Sequence, residues 1–110
     1  MFVISRFRYD DDLNQRPRTE LESCLRQLGG QPGFVAGSVG RALDDAQLWV
    51  LQTRWANVGS YRRALSSYDI KMSVVPLLSY AIDEPSAYEV IVGDGVRLDE
   101  EPNASVPRSL

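Results

Sequence analysis

The sequence predicts an α+β fold of the ferredoxin-like type, with the element order βαββαβ and an antiparallel sheet backed by helices on one face. In Leu48–Trp55 the polar Gln52 and Arg54 alternate with Thr53 and Trp55, which is typical of a strand. Directly after it, Val58, Tyr61 and Leu65 recur at helical spacing. The chain is therefore expected to run from a strand straight into a helix, with Trp55 at the junction of the two.

The N-terminal part predicts a strand followed by an amphipathic helix. The first strand is expected at Phe2–Tyr9, which is rich in β-forming residues and ends at Asp10-Asp11-Asp12. These carboxylates can cap the helix and favour its N-terminus. Pro17 suits the first helical position, and Gly29-Gly30 ends the helix. The apolar side of this helix is formed by Leu13, Leu21, Cys24, Leu25 and Leu28.

A hairpin is predicted in the middle of the chain. Its first strand, Phe34–Leu43, contains Gly37 and Gly40, which allow bulges or a close approach of another element. Asp44-Asp45 turns the chain back into Leu48–Trp55.

The C-terminal part predicts a helix, a short helical segment and a last strand. The helix at residues 58–66 is expected to be capped by Asn57. The following segment is expected to be interrupted or restarted at Pro76, and Ser86–Val92 is the predicted last strand.

Composition limits the function classes. The 110 residues form one expected domain, residues 1–92, followed by a flexible acidic tail at residues 93–110. The net charge is −3 and no basic stripe is present, which argues against a nucleic-acid partner. No stretch approaches 18 apolar residues and no secretory leader is recognisable, so no membrane association and a cytoplasmic location are expected.

The chain has no histidine and one cysteine. It therefore lacks the usual general base near pH 7, the commonest metal ligand and the usual haem ligand. No cofactor and no metal site are predicted. Cys24 cannot form an intramolecular disulfide and is expected to be buried as a small apolar residue.

One face of the sheet has no helix to cover it. If Trp49, Leu51, Thr53 and Trp55 face the helices, then Val50, Gln52 and Arg54 lie on the other side. Such a mixed face is expected to be covered by a second copy of the chain, giving a homodimer.

Residues 2–91 resemble the antibiotic biosynthesis monooxygenase family of dimeric α/β barrels. The resemblance rests on Gln31-Pro32-Gly33-Phe34, on Trp55 and on Ser60-Tyr61-Arg62-Arg63-Ala64-Leu65, in this order. It implies a cofactor-independent monooxygenase that oxidises an aromatic, anthrone-like or phenolic, small molecule with O₂ as co-substrate. In such enzymes the deprotonated substrate is itself the electron donor.

The resemblance also implies site residues. Trp55 matches a tryptophan that ends the third strand in the family, and Ser5 stands where the family has an asparagine. Ser5, Trp55 and Asn57 are the predicted catalytic residues. The predicted substrate contacts are Thr53, Arg54, Tyr61 and Tyr68.

Some of these side chains could have a structural role instead. Trp55 could be a core residue, Asn57 a helix cap and Arg54 a member of an interface ion pair. The departure at Ser5 leaves a second function, a non-catalytic domain that binds or senses a small ligand. Haem degradation, the other family activity, is a distant third because the chain lacks the histidine that it needs.

Overall fold

The computed structural model describes residues 1–10 and 15–93 and has the predicted α+β architecture. In chain order the elements are β1 (Phe2–Arg8), α1 (Gln15–Gly29), β2 (Phe34–Ala42), β3 (Asp45–Trp55), α2 (Val58–Ser66), α3 (Tyr68–Ser73), α4 (Val75–Leu78) and β4 (Ala87–Tyr88). The four strands form one sheet in the order β2-β3-β1-β4, and every neighbouring pair is antiparallel. The ferredoxin-like prediction is confirmed.

The two central strands divide their side chains cleanly between the sheet faces. On β1, Val3, Ser5 and Phe7 are buried, and on β3 the buried set is Trp49, Leu51, Thr53 and Trp55. Because successive side chains of a strand point to opposite faces, these residues form one layer beneath the helices. The predicted orientation of β3 is therefore confirmed.

Helix α1 packs its apolar side onto this layer. Leu21, Cys24 and Leu28 are buried at helical spacing, and burial raises the pKa of the Cys24 thiol to about 11, with a smaller effect from Glu20. Cys24 is thus a protonated core residue, as predicted. The helix begins two residues before Pro17 and ends at Gly29. Asp11, Asp12 and Leu13 lie outside the described residues.

Gly37 lets α1 approach β2 closely. A Cβ atom there would lie 2.6 Å from Cδ1 of Leu25 and 2.9 Å from the carbonyl oxygen of Gln52. The register shifts of the hairpin lie elsewhere, between Phe34 and Ala36 and at the Arg41–Ala42 step. Of the two roles considered for this glycine, close approach is the one that the structure shows.

The last strand is shorter than the predicted Ser86–Val92. Only Ala87 and Tyr88 pair with β1, opposite Val3 and Phe2. Before them, the carbonyl oxygen of Ser86 accepts a hydrogen bond from the backbone N–H of Ile4, and the backbone N–H of Ile82 donates to the carbonyl oxygen of Arg6. Pro85 lies between these two contacts and has no N–H that could continue the ladder.

The second helical segment is also divided, into α3 and α4, with Pro76 in the first turn of α4. In the described part of the chain, no helix is long and apolar enough to cross a membrane. The predicted tail, apart from Gly93, lies outside the described residues.

Candidate active site

Three of the predicted site residues lie on the helix-facing side of the sheet. Ser5 on β1 and Thr53 and Trp55 on β3 point to the same face, because Ser5 is paired with Leu51 and Thr53 with Val3. Ser5 is 7% exposed, Thr53 3% and Trp55 2%. We call this group, together with the aromatic side chains around Trp55 described next, the Trp55 seam.

Trp55 is held by two rings and one hydrogen bond. The ring of Phe34 meets it edge-on at a centroid distance of 5.4 Å, and the ring of Tyr61 lies tilted at 5.5 Å. Its indole N–H donates to Oγ1 of Thr53 at 2.9 Å. Since this donor already has a partner, Trp55 presents its ring as an apolar surface rather than an N–H group to a ligand.

Phe34 is the aromatic member of the seam that the sequence did not single out. In the sequence it begins the second predicted strand and belongs to the motif Gln31-Pro32-Gly33-Phe34, but it is not among the predicted site residues. The structure places it opposite Trp55 in the β2–β3 hairpin. The two residues are far apart in sequence, and only the hairpin register could have identified the pair.

Tyr61 provides a neutral hydroxyl at the edge of the seam. Burial raises the pKa of Tyr61 above its ordinary value, because the phenolate would lose its hydration. At neutral pH the side chain is therefore a phenol that can donate a hydrogen bond, and not a base.

Asn57 caps α2. Its side-chain oxygen accepts from the backbone N–H of Ser60 at 2.8 Å and from the Ser60 hydroxyl at 3.0 Å. Gly33, with φ of +88°, lies against Ser60 so closely that a Cβ atom at Gly33 would overlap the serine side chain. The cap thus fixes α2 to the start of the hairpin, and the structural role considered for Asn57 is the one seen here.

Two predicted substrate contacts lie away from the seam. Arg54 is exposed on the opposite face of the sheet, in register with Phe2 and Ala36. Tyr68 opens α3 with 74% of its surface exposed. The structure therefore places Thr53 and Tyr61 against Trp55. Ser5 lies on the same sheet face but opposite Leu51, and Asn57 lies at the start of the adjoining helix. Arg54 and Tyr68 lie apart from this group.

The seam is packed rather than open. Two clefts of about 540 and 530 Å³ among the described residues are lined by other side chains and do not reach Trp55. A ligand that contacts the Trp55 ring must therefore displace a side chain packed on it, and the rings of Tyr61 and Phe34 lie against it. Among the described residues, no group of three or more cysteine, aspartate or glutamate side chains could hold a metal ion.

No protein-family model and no curated protein matches the chain. Solved structures do match it. SnoaB from Streptomyces nogalater, a cofactor-independent oxygenase, is 19% identical over 82% of this chain and 94% of its own, with a TM-score of 0.64.

A protein from Nitrosomonas europaea, provisionally assigned as an antibiotic biosynthesis monooxygenase, is 14% identical over 84% of this chain and all of its own, with a TM-score of 0.62. A similarly assigned protein from Deinococcus radiodurans is 12% identical over 83% and 98% of the two chains, with a TM-score of 0.61. The chain thus has the fold of the antibiotic biosynthesis monooxygenase-like proteins, as the resemblance in its sequence implied.

Proposed function

We propose that the chain is a cofactor-independent monooxygenase that oxidises an aromatic small molecule, of anthrone or phenol type, with O₂. The observation that supports this most is the Trp55 seam, where three aromatic rings and two hydroxyl groups share the interior side of the sheet. The fold is also that of SnoaB, which is a cofactor-independent oxygenase.

The proposed reaction needs no redox group from the protein. An anthrone loses a proton to water, and its anion gives one electron to O₂. The resulting radical and superoxide combine at the same carbon to form a peroxide, which takes up a proton. Loss of water from the hydroperoxide leaves a carbonyl, so that a CH₂ group and O₂ become C=O and H₂O. The substrate supplies the electrons, and the protein supplies binding and stabilisation of the anion.

The side chains of the seam suit these two tasks. The Trp55 ring offers a flat apolar surface to a polycyclic substrate. Thr53 accepts the indole N–H and keeps its own O–H proton for donation, and Ser5 adds a second hydroxyl on the same face. Hydrogen bonds to the charged form of the substrate oxygen favour its deprotonation.

Binding requires the seam to open. With Trp55 98% covered by its neighbours, a substrate ring takes the place of the Tyr61 ring, and the Tyr61 hydroxyl is then a further donor at the edge of the site. The free energy needed to move the Tyr61 ring lowers the affinity for the substrate. Asn57 holds the start of the helix that bears Tyr61 and so affects the site through its position.

A non-catalytic ligand-binding role is the second candidate. Ser5 favours it, because a serine lacks the paired donor and acceptor of the asparagine that the family has at this position. A binder would take up the same aromatic ligands without consuming O₂.

Oxygen uptake by the pure protein with anthrone tests the proposal. We expect uptake above the spontaneous rate, one O₂ consumed per quinone formed, and a fall of about tenfold or more in kcat for Trp55→Phe. A tenfold fall corresponds to about 1.4 kcal/mol of transition-state stabilisation. Leu21→Val is the control, because it removes buried volume from α1, which carries no residue of the seam. Equal rates for the protein and for buffer would contradict the monooxygenase and favour the binder.

A further inference from the structure

The ring of Phe34 lies between Trp55 and the end of α1. Phe34 begins β2 and is paired with Trp55 in the hairpin register, and its ring meets the indole edge-on at a centroid distance of 5.4 Å. Another edge of the ring faces Gly29, the last residue of α1, because a Cβ atom at Gly29 would lie 3.7 Å from Cε2 of Phe34. The indole and the end of the helix therefore both bound this ring.

The backbone of β2 bounds the same ring at a third place. A Cβ atom at Gly37 would lie 3.1 Å from Cζ of Phe34 and 2.6 Å from Cδ1 of Leu25. We call the space between Trp55, Gly29 and Gly37, which the Phe34 ring fills, the Phe34 slot. Two of its walls are backbone within a helix and a sheet, which cannot turn aside as a side chain can, so the Phe34 ring has little room to move.

Tyr61 is held less firmly on the same indole. It is a half-buried residue of α2, and its ring lies tilted on Trp55 at a centroid distance of 5.5 Å. A half-buried side chain on a helix can turn towards solvent by a change of rotamer. When a ligand enters the Trp55 seam, the Tyr61 ring is therefore expected to move and the Phe34 ring to stay.

From this difference we propose that Phe34 is the specificity-determining residue of the Trp55 seam. The inference rests on the proposed function, in which an aromatic ring takes the place of Tyr61. Because the Phe34 and Tyr61 rings lie at similar distances from one indole, a ligand in the place of Tyr61 can extend only a short way before it meets Phe34.

The Phe34 slot then selects substrates by how far they extend from the ring that carries the oxygen. Anthrone has one fused ring on each side of its oxygenated ring, and 1-naphthol has one fused ring on one side. In 1-anthrol two further rings are fused in line. The site is expected to accept the first two compounds and to disfavour the third.

The selectivity between 1-naphthol and 1-anthrol tests this limit. Binding of either phenol is followed through the Trp55 indole N–H signal in ¹H–¹⁵N NMR spectra. The signal of Trp49, about 20 Å away along β3, is the internal reference. We expect the parent protein to bind 1-naphthol more tightly than 1-anthrol. In Phe34→Leu the ratio of the two dissociation constants should move about tenfold in favour of 1-anthrol. Phe34→Met should move it in the same direction, which keeps the test valid if Phe34→Leu fails to fold.

Two further variants separate a specific effect from general loosening of the fold. Val39→Ala removes apolar volume from the same strand, opposite Leu51, and should leave the ratio unchanged. Adding Gly29→Ala to Phe34→Leu places a methyl group at the Phe34 slot and should partly restore the parent ratio. Gly29 lies in α1 and is not among the glycines with positive φ, so an alanine there is expected to stabilise the helix.

The outcomes distinguish this inference from the proposed function. An unchanged ratio in Phe34→Leu would overturn the inference, while saturable binding of 1-naphthol would leave the proposed function standing. If neither phenol moves the Trp55 signal of the parent protein, entry in the place of Tyr61 is wrong. Binding of 1-naphthol by Phe34→Leu would in that case still support Phe34 as the residue that limits the site, and its failure to bind would overturn both.

Discussion

At the scale of single residues, strand alternation made the site partly predictable. Thr53 and Trp55 share a face because they are two positions apart on β3, and the antiparallel pairing puts Ser5 on the same face, opposite Leu51. Arg54 fell on the other face by the same rule. The partnership of Trp55 with Phe34 depends on the register of the hairpin and could not be predicted from local pattern.

Ser5 is the residue whose substitution separates the two proposed functions. If the chain is a weak monooxygenase, Ser5→Asn should raise kcat with anthrone, because an amide can donate to and accept from the substrate. Ser5→Ala should lower kcat about tenfold through the loss of one hydrogen bond to a charged oxygen. The rates are measured with an oxygen electrode. An alanine variant as fast as the parent would show that the Ser5 hydroxyl takes no part.

Asparagine is larger than serine at a position that is 7% exposed, so Ser5→Asn is also expected to cost stability. Overpacking of this kind costs about 1–3 kcal/mol. The thermal midpoint of each variant should therefore be measured beside its rate, and the rates compared at a temperature where both proteins are folded.

At the scale of elements, local signals predicted most of the structure. The cap at Asn57, the glycines after α1 and the periodicity of Val58–Ser66 all act within a few residues. The last strand was predicted too long, because the ladder depends on what β1 can pair with and on Pro85. The sequence of the last strand alone does not contain this information, because pairing depends on residues far away in the chain.

The junction of β2 with α2 provides a prediction at this scale. Gly33 has φ of +88° and lies against Ser60, so Gly33→Ala introduces both backbone strain and steric overlap. We expect a loss of about 2–4 kcal/mol in the free energy of unfolding, measured with urea. Gly30→Ala is the matched control, because its Cβ would meet nothing closer than 3.6 Å. Similar losses for the two variants would contradict this account of the junction.

At the scale of the whole molecule, the described part of the chain places its helices on one face of the sheet and none on the other. Phe2 and Tyr88 stack there with ring centres 5.3 Å apart, and Arg6 donates two 2.7 Å hydrogen bonds to Glu84 nearby. Val50 and Ile4 are half-buried on the same face. Because apolar and paired polar groups are mixed there, the face suits a second copy of the chain better than bulk water.

We therefore expect a homodimer that a charge in the middle of this face disrupts. Sedimentation equilibrium should give twice the mass of one chain for the parent protein and the mass of one chain for Val50→Glu. Leu43→Glu is the control, since Leu43 lies fully exposed at the hairpin turn. A parent protein that sediments as a single chain at micromolar concentration would exclude the dimer.

The central claim is that an aromatic substrate enters the Trp55 seam, and the most direct measurement follows the Trp55 indole N–H signal during titration with 1-naphthol. This signal reports the hydrogen bond to Thr53 at 2.9 Å and the rings on either side. We predict a saturable shift of the Trp55 signal, weakened in Tyr61→Trp, where the ligand has to displace a larger ring, and retained in Tyr80→Phe on the exposed surface. A Trp55 signal that stays unchanged at saturating 1-naphthol would contradict the account.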